Sequence, residues 1–456
     1  MRYARKISVL AATLVFAAPV MAQNEVDTTK EKASTVSTDS SKSSLLTQPA
    51  IVIQHYRPQD KRGINMFESP KNDDIPYTGF KLDWGAAFSQ QFQSIDHSNK
   101  AVEMLDAAGK NVNELMTIGS GFNTASANLY LNAQLAPGIR VAMTTYLSSR
   151  HHNEAWVKDG YILIDDTPIE SELLSALMNF VTMRIGHFEI NYGDAHFRRS
   201  DNGNALYNPF VGNYILDAFT TEVGAEVYLR AGALMAMGAM TGGEIKGNIL
   251  TPEHRSPAYI AKLGFDQQIN QDLRVRLTGS NYRINESPAN TLFAGDRAGS
   301  RYFFVLENTQ ATSTAQASSG LINPNFRYKV NAYQINPFIE YKGAEIFGVI
   351  EQAKGRSATE QEERTWKQYA VDAVYRFGSD ERFFAGARYN TAMGELTGIA
   401  NEVSVDRYQI GAGWFITPSM MLKGEYVNQK YNDFPTTDIR NAGKFNGLVM
   451  EAVVSF

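Results

Sequence analysis

An alternation of apolar and polar residues with a period of two runs from Phe80 to the C-terminus, and it constrains the fold more than any other feature of the chain. In the last nine residues, Phe456 and the apolar residues at every second position back to Leu448 share one face of an extended strand, whereas Ser455 and Glu451 share the other. Such a strand separates hydrocarbon from water, as the wall of a transmembrane β-barrel does. For this segment alone, the edge strand of a soluble sheet is the alternative.

The N-terminus has the pattern of a secretory signal peptide. Basic residues precede an apolar run from Ile7 to Ala18, and small residues follow up to Ala22. We therefore predict a signal peptide over residues 1–22 that is removed from the mature chain. The sequence contains no Cys, which excludes disulfides, thiolate chemistry and Cys-ligated metals.

The overall composition is that of a soluble protein, because the mean hydropathy is slightly negative and no apolar run after the signal peptide reaches the length of a membrane helix. A barrel reconciles this composition with a membrane location, since only every second residue of its strands meets lipid. The net charge of -5 provides no basic surface for nucleic acid.

The chain divides into three regions by composition. After the signal peptide, we predict a flexible periplasmic N-terminal extension over residues 23–78 and a transmembrane β-barrel over residues 79–456. Residues 23 to about 48 are rich in Ser, Thr, Lys and Asp, which is typical of disorder. Residues 51–76 are more mixed and permit short structure, and the sequence assigns them no role.

The barrel region predicts an all-β, antiparallel fold of about 16 strands, in which short periplasmic turns alternate with long external loops. The segment Arg301–Leu306 would make the number of strands odd if it crossed the membrane, so we place it inside the long fifth loop. One periplasmic connection, Thr167–Asn179, has apolar residues at helical spacing and predicts a short amphipathic helix capped near Thr167 or Ser171, with packing against the barrel rim as its simplest role. The short turns are expected near residues 137–138, 231–232, 270–271, 342–343, 378–379 and 418–419.

The segment from Met183 to Tyr228 contains the densest set of charged, aromatic and glycine residues. Its stretches RIGHFEINYG and DAHFRRSDNGNALYNPFVGNY resemble the strand and the constriction loop of the sixteen-stranded outer-membrane porins, in particular the porin-like proteins of Bacteroidota and, more distantly, the phosphate-selective porins. The resemblance covers residues 79–456 and is loose outside this segment and the last strand. It implies a homotrimer in the outer membrane of a Gram-negative bacterium, with the third external loop (194–219) folded into the lumen.

Residue types in the third loop suit that position. Gly203 and Gly212 allow tight bends, and aromatic side chains provide anchors to the inner wall: Phe197, Tyr207, Phe210 and Tyr214. A loop that points outward, to a neighbouring subunit or to surface glycans, is the alternative.

Charges at a constriction select which ions pass a narrow lumen. In the third loop and at its end the candidate filter residues are His196, Arg198, Arg199, Asp201 and Asp217. On the wall, alternation directs Arg140, Arg184, Arg274, Arg276, Arg376, Arg388 and Arg407 inward, together with Glu222, Glu226, Arg230, Lys262, Lys423 and Glu425. Seven of these wall residues complete the set of twelve that we predict for selectivity at the constriction: Arg184, Glu222, Arg274, Arg276, Arg376, Arg388 and Arg407.

These arginines permit two interpretations. They could pass oxyanions along the lumen by their forked donors, as the resemblance to phosphate-selective porins suggests, although the lysine cluster of those relatives has no match here. Alternatively, they pair with Asp372, Glu340 and loop carboxylates, and this second interpretation is favoured.

Catalytic and metal-binding motifs are weak. The sequence lacks a Gly-x-Ser-x-Gly elbow, a His-Glu-x-x-His motif and a phosphate-binding glycine-rich loop. His196 near Ser200 resembles an outer-membrane phospholipase pair only faintly, and a metal at His151, His152 and Glu154 is a minor alternative.

The sequence therefore predicts a porin that is not an enzyme and needs no cofactor or metal. Its partners are outer-membrane lipid and small hydrophilic solutes or ions, with no nucleic acid. A channel specific for phosphate or another anion is the second possibility, and a barrel enzyme or adhesin is the third.

Overall fold

The computed structural model describes residues 53, 57–69, 71, 75–123, 125–148, 155–167, 169–245, 249, 251–294, 299–312 and 318–456. The predicted signal peptide lies outside these residues. Within the described ranges, one antiparallel sheet closes on itself, because the last strand pairs with the first. The strands are β1 (Lys81–Ser98), β2 (Gly121–Phe122), β3 (Ser126–Ala136), β4 (Ile139–Ser148), β5 (Ala155–Ile164), β6 (Val181–Glu189), β7 (Thr221–Ala231), β8 (Leu234–Thr241), β9 (Ala258–Gln268), β10 (Leu273–Ile284), β11 (Lys329–Tyr341), β12 (Ala344–Arg356), β13 (Arg364–Phe377), β14 (Phe383–Gly394), β15 (Val403–Thr417), β16 (Met420–Asn432) and β17 (Lys444–Ser455).

Sixteen long strands form the wall of a transmembrane barrel, and the two-residue β2 adds to β1 near its external end. The predicted strand number is therefore confirmed. The predicted faces are confirmed as well: in β17, the side chains of Leu448 and Met450 are about 60% exposed on the outer surface, whereas Glu451 and Ser455 are buried inside. Phe456 bonds Ala86 of β1 through both backbone groups and thereby helps to close the barrel.

The connections follow the predicted alternation of short and long. Turns lie at the six predicted positions between consecutive strands, and residues 299–312 of the fifth external loop contain no strand apart from an isolated bridge between Leu115 and Asn308. The placement of Arg301–Leu306 inside this loop is confirmed. Two of the long external loops, the third and the fifth, enter the lumen.

The predicted periplasmic helix is confirmed as α1 (Glu172–Met178). It begins after Ser171, whose Oγ accepts a hydrogen bond from the backbone N–H of Leu174. Packing against the barrel rim is limited, because Met178 is its one buried residue and Leu173 is 80% exposed. No helix in the described part of the chain is long and apolar enough to cross a membrane.

We expect Ser171→Ala to destabilise α1 by about 1 kcal/mol, because one N–H of the first turn loses its acceptor. Hydrogen exchange of the peptide covering Glu172–Met178 should then become about fivefold faster. Ser175→Ala, inside the same helix, is the control and should not accelerate exchange. Equal exchange in the wild-type chain and Ser171→Ala would show that the cap does not hold this helix.

The lumen contains a hydrophobic core whose wall residues come from β7 to β17 and from β1. Apolar residues of the third and fifth loops pack there against the inner wall, and most of them are buried. A barrel of sixteen long strands has a wide interior, and the two loops fill much of it. The members include Val211, Ile215, Leu216, Tyr302, Val305, Leu306, Val405, Val427 and Phe445.

A second element occupies the lumen from the periplasmic side: residues 57–69, here called the docked segment. The backbone N–H of Lys61 donates to the carbonyl of Pro418 in the turn between β15 and β16. The guanidinium of Arg57 lies 3.8 Å from the ring centre of Tyr207 in the third loop, and Phe67 is buried among aromatic rings. The composition of residues 23–78 predicts a flexible extension, whereas residues 57–69 of this region are packed inside the barrel.

Candidate functional site in the barrel lumen

The third loop runs through the lumen and is held by polar side chains of the wall. Asn390 Oδ1 accepts from the backbone N–H of Ile215 at 2.7 Å, and Gln368 bonds both backbone groups of Leu216. Because these wall residues face the lumen from β13 and β14, the loop crosses to the side opposite its own strands. The predicted inward fold of the loop is confirmed.

The loop also touches the wall at β3. Asn202 Nδ2 donates to the carbonyl of Ala127 at 2.7 Å, and the N–H of Gly203 donates to Asn128 Oδ1 at 2.9 Å. A Cβ at Gly203 would lie 2.5 Å from the Cα of Ala127, so this close approach requires glycine. The loop therefore bridges two sides of the barrel and divides the lumen.

Lys423 of β16 fixes the middle of the loop. Its ammonium donates to the backbone carbonyls of Ala205, Asn208 and Phe210 at 2.8–2.9 Å and also lies 3.0 Å from Glu451. Three carbonyls that converge on one buried cation attach this stretch of the loop to the wall.

The predicted aromatic anchors are confirmed. Phe210 packs against Phe384 and Phe415 of the wall, and Tyr214 packs in another cluster while its hydroxyl donates to Asp372 at 3.0 Å. Phe197 contacts Phe67 of the docked segment, and Tyr207 contacts Arg57 there. All four therefore pack in clusters that contain wall residues, and Phe197 and Tyr207 also hold the loop to the docked segment.

The wall arginines are paired, as the favoured interpretation predicted. Arg388 contacts both oxygens of Asp372 at 2.6 and 2.7 Å. Glu340, the other predicted wall partner, forms no ion pair among the described residues, and Arg376 pairs with Glu345 of β12. The other pairs are Arg140 with Asp165, Arg184 with Glu226, Arg274 with Asp266, and Arg276 with Asp194, Glu68 and Asp266.

Arg407 differs from the other wall arginines. Its guanidinium donates to Gln429 and to the carbonyls of Asn213 in the third loop and Gly320 in the fifth. It therefore tethers two loops to the wall.

The charged residues of the third loop are also paired. Arg199 contacts both oxygens of Asp217, at 2.9 and 2.5 Å. Arg198 bonds Glu345 of the wall at 3.0 Å, and Glu222, at the start of β7, accepts from the hydroxyl of Tyr282 at 2.7 Å. These side chains hold the loop and its flanks in place.

A cavity of about 250 Å³ remains between the third loop, the docked segment and strands β3 to β7. Its lining is polar and carries both signs of charge. Three of the twelve residues predicted for selectivity line it, namely Arg184, His196 and Asp201. The other nine lie outside the lining, in the pairs and tethers described above. Further charged groups of the lining are Arg57, Glu68, Arg140, Lys158, Asp159, Glu189, Glu226 and Arg230.

Lys158 and Asp159 are two of the charged lining residues that alternation does not identify, as are Arg57, Glu68 and Glu189. Asp159 lies opposite Thr144 and Val157 lies opposite Thr145, so β5 has an extra residue at Lys158. This β-bulge turns two consecutive side chains inward, which breaks the alternation that identifies lumen residues. Lys158 then bridges Asp201 of the loop, at 2.5 Å, and Glu189, at 2.7 Å.

His196 contacts Glu189 through Nδ1 and Asn191 through Nε2, and burial lowers the pKa of the ring although Glu189 opposes this effect. Ser200 is not among its described partners, so the geometry does not support the histidine and serine pair of the enzyme alternative. Among the described residues, no group of three or more His, Asp or Glu side chains is arranged to hold a metal ion. The alternative site at His151, His152 and Glu154 lies outside the described residues.

Glu68 connects the docked segment to the wall. Its carboxylate oxygens lie 2.8 Å from Lys262 Nζ and 2.6 Å from Arg276 Nη2. Burial alone would raise the pKa of Glu68, but the two cations hold it well below the usual range, and they lower the pKa of Asp194 in the same way. Docking therefore favours the ionised carboxylate.

Because the pKa of Glu68 is lower in the docked state, the ionised carboxylate stabilises docking. This contribution is complete above the ordinary glutamate pKa of about 4.3, and it is lost progressively as the pH falls below that value. The chain lacks Cys, so one nitroxide label at Arg62→Cys, whose native side chain is 61% exposed, reports the mobility of the segment. We expect its spectrum to sharpen below about pH 4. In the Glu68→Gln background it should be mobile already at pH 7, and a spectrum unchanged by acid in the Glu68 form would contradict the prediction.

No protein-family model matches the sequence, and no curated protein matches it either. The fold is similar to solved outer-membrane porins and channels. The anion-selective porin from Comamonas acidovorans aligns at 13% identity with a TM-score of 0.50, over 83% of this chain and 100% of that one. The outer membrane channel DcaP of Acinetobacter baumannii aligns at 11% and 0.47 (84% and 99%), and OprB of Pseudomonas putida at 10% and 0.48 (82% and 94%). At these identities the likeness concerns the fold.

Proposed function

We propose that the protein is an outer-membrane porin, a passive diffusion channel for small hydrophilic solutes. The observation that carries the proposal is the third loop inside the closed barrel, with a polar cavity beside it. A barrel that served only as a membrane anchor would not need a charged, water-accessible space between its wall and an inserted loop. Transport of this kind requires no bond chemistry.

Selection in such a channel follows from width and from the electric field of the lining. The third loop and the docked segment reduce the width, and the cavity lining combines the cations Lys158 and Arg184 with the carboxylates Asp159, Glu189 and Glu226. Opposite charges at short range leave no single sign dominant, so we propose selection for polar solutes by size and by fixed charges rather than a general preference for anions.

A solute-specific channel is the second candidate. The loops and the docked segment fill much of the lumen, which favours a channel with a defined binding site over a wide pore. An arginine ladder for phosphate is less favoured, because the carboxylates of the wall and loops already bind most of the inward arginines.

The homotrimer and the Gram-negative outer membrane are proposals that rest on the resemblance; cross-linking in isolated outer membranes tests both.

Recordings in planar lipid bilayers test the channel. We expect stepwise, ohmic currents, and a reversal potential near zero in a potassium chloride gradient. A mixed lining predicts this weak selectivity. Protein that has been heated and has lost its β-sheet signal serves as the control. Folded protein that inserts without conducting would contradict the proposal and leave the enzyme or adhesin alternative, whereas a saturable anion current would favour the second candidate.

A further inference from the structure

The docked segment places one carboxylate in a site with three donors, here called the carboxylate seat. Lys262 of β9 and Arg276 of β10 contact different oxygens of Glu68, and Asn191 Nδ2 donates to its Oε1 at 3.0 Å. Both cations are less than 5% exposed. Two cationic donors and one amide, buried and converging on one carboxylate, are the arrangement of a carboxylate-binding site.

Charge balance shows that the seat needs an anion. Within the described residues, the network of ion pairs around it contains the cations Lys262, Arg274 and Arg276 and the carboxylates Asp194, Asp266 and Glu68. Without Glu68, three buried or half-buried cations would face two carboxylates. An uncompensated buried charge is strongly unfavourable, so departure of Glu68 leaves a site for one negative charge.

Glu68 is also the one member of this described network that belongs neither to the wall nor to the third loop. The other five belong to the wall strands or to the third loop, which many contacts hold, whereas Glu68 belongs to a segment that precedes the barrel. Glu68, its neighbour Phe67 and Asn191 all line the 250 Å³ cavity, while Lys262 and Arg276 contact Glu68 without being part of the lining. A solute in the cavity would therefore meet the seat once Glu68 withdraws.

We propose that the carboxylate seat binds the carboxylate of a small permeating solute, and that Glu68 occupies it as an intramolecular competitor. The inference rests on the proposed channel function and names its substrate class: small hydrophilic carboxylates with one negative charge at the seat. The docked segment is then both a plug and a mimic of the solute. A solute displaces it by taking over its ion pairs with Lys262 and Arg276.

Binding of acetate to the full chain in detergent micelles tests the proposal by titration calorimetry. A tethered competitor acts at a local concentration in the millimolar range, so Glu68→Gln should bind acetate at least ~10-fold more tightly than the wild-type chain. Acetamide, the neutral analogue, should bind to neither. Glu170→Gln removes the same charge from an exposed site on the same side of the barrel and should behave as the wild type.

A further variant ties binding to the seat. Glu68→Gln combined with Lys262→Met should lose acetate binding, and the β-sheet signal checks that this barrel is folded. Equal acetate affinity in the wild-type chain and Glu68→Gln, or equal binding of acetamide, would overturn the proposal. Binding of inorganic phosphate without binding of acetate would overturn the carboxylate assignment.

Calorimetry requires no current and separates the two hypotheses. Acetate binding with the expected dependence on Glu68, in a protein that does not conduct, would support the seat and contradict the channel. Conductance without acetate binding would support the channel and overturn the seat.

Discussion

Deletion of residues 57–69 is expected to raise the single-channel conductance several-fold in planar bilayers. These residues lie in the lumen, where Phe67 packs against Phe197 of the third loop at 5.8 Å and against Phe338 of the wall at 5.3 Å between ring centres. Their removal joins the space they occupy to the 250 Å³ cavity. Because ion current rises with the cross-section of the narrowest part of a pore, this change should be the largest that a short deletion can produce.

Deletion of residues 24–36 is the matched control, since it removes the same number of residues from the polar part of the extension. It should leave the conductance at the wild-type level. If the two deletions give equal conductance, the docked segment does not limit the current, and the constriction lies elsewhere, with the third loop as the remaining candidate. The β-sheet signal and the shift in electrophoretic mobility on heating verify that both barrels are folded.

Asp217→Asn is expected to lower the free energy of unfolding by about 3–5 kcal/mol, because it leaves the buried guanidinium of Arg199 without its bidentate carboxylate. Arg199 is 3% exposed and lies over the ring of Phe219, where water cannot replace the lost contacts. Asp201, at 3.7 Å, is its remaining carboxylate neighbour and is already bound to Lys158. The third loop should therefore loosen together with the loss of stability.

Urea unfolding in lipid vesicles, followed by tryptophan fluorescence, measures this difference. Asp438→Asn is the control: Asp438 also pairs with an arginine, Arg440, but in the eighth external loop, where the pair is partly exposed. Surface pairs contribute at most about 1 kcal/mol, so this variant should unfold nearly as the wild type does. If both variants lose the same free energy of unfolding, the buried pair of Arg199 and Asp217 is no more stabilising than a surface pair, and the prediction is contradicted.

The strands and their faces could be predicted from the sequence because they depend on local chemistry. A strand directs successive side chains to opposite sides, so the positions of Leu448, Met450 and Glu451 in β17 follow from their order alone. The turns and α1 follow from residue types that act on their nearest neighbours. The inward third loop followed from a resemblance supported by its aromatic and glycine residues.

The partners of the charged residues could not be predicted in the same way. Alternation correctly directed Arg376 inward, but it could not identify Glu345 as its partner, because the pairing depends on how neighbouring strands align. The β-bulge at Lys158 interrupts the two-residue period and therefore could not be predicted from it. The bulge directs two further charged side chains, Lys158 and Asp159, into the cavity. As a result, only three of the twelve residues predicted for selectivity line the cavity. Most of the other nine stabilise the third loop through ion pairs and hydrogen bonds.

The sequence by itself determined that the chain forms a closed barrel with lipid outside, since that outcome depends on a pattern repeated in every strand. Only the tertiary structure decided what fills the barrel. Glu68 and Lys262 are 194 positions apart, and their ion pair exists because chain closure brings the extension beneath β9. Contacts between distant residues depend on the path of the whole chain, and no local pattern encodes that path.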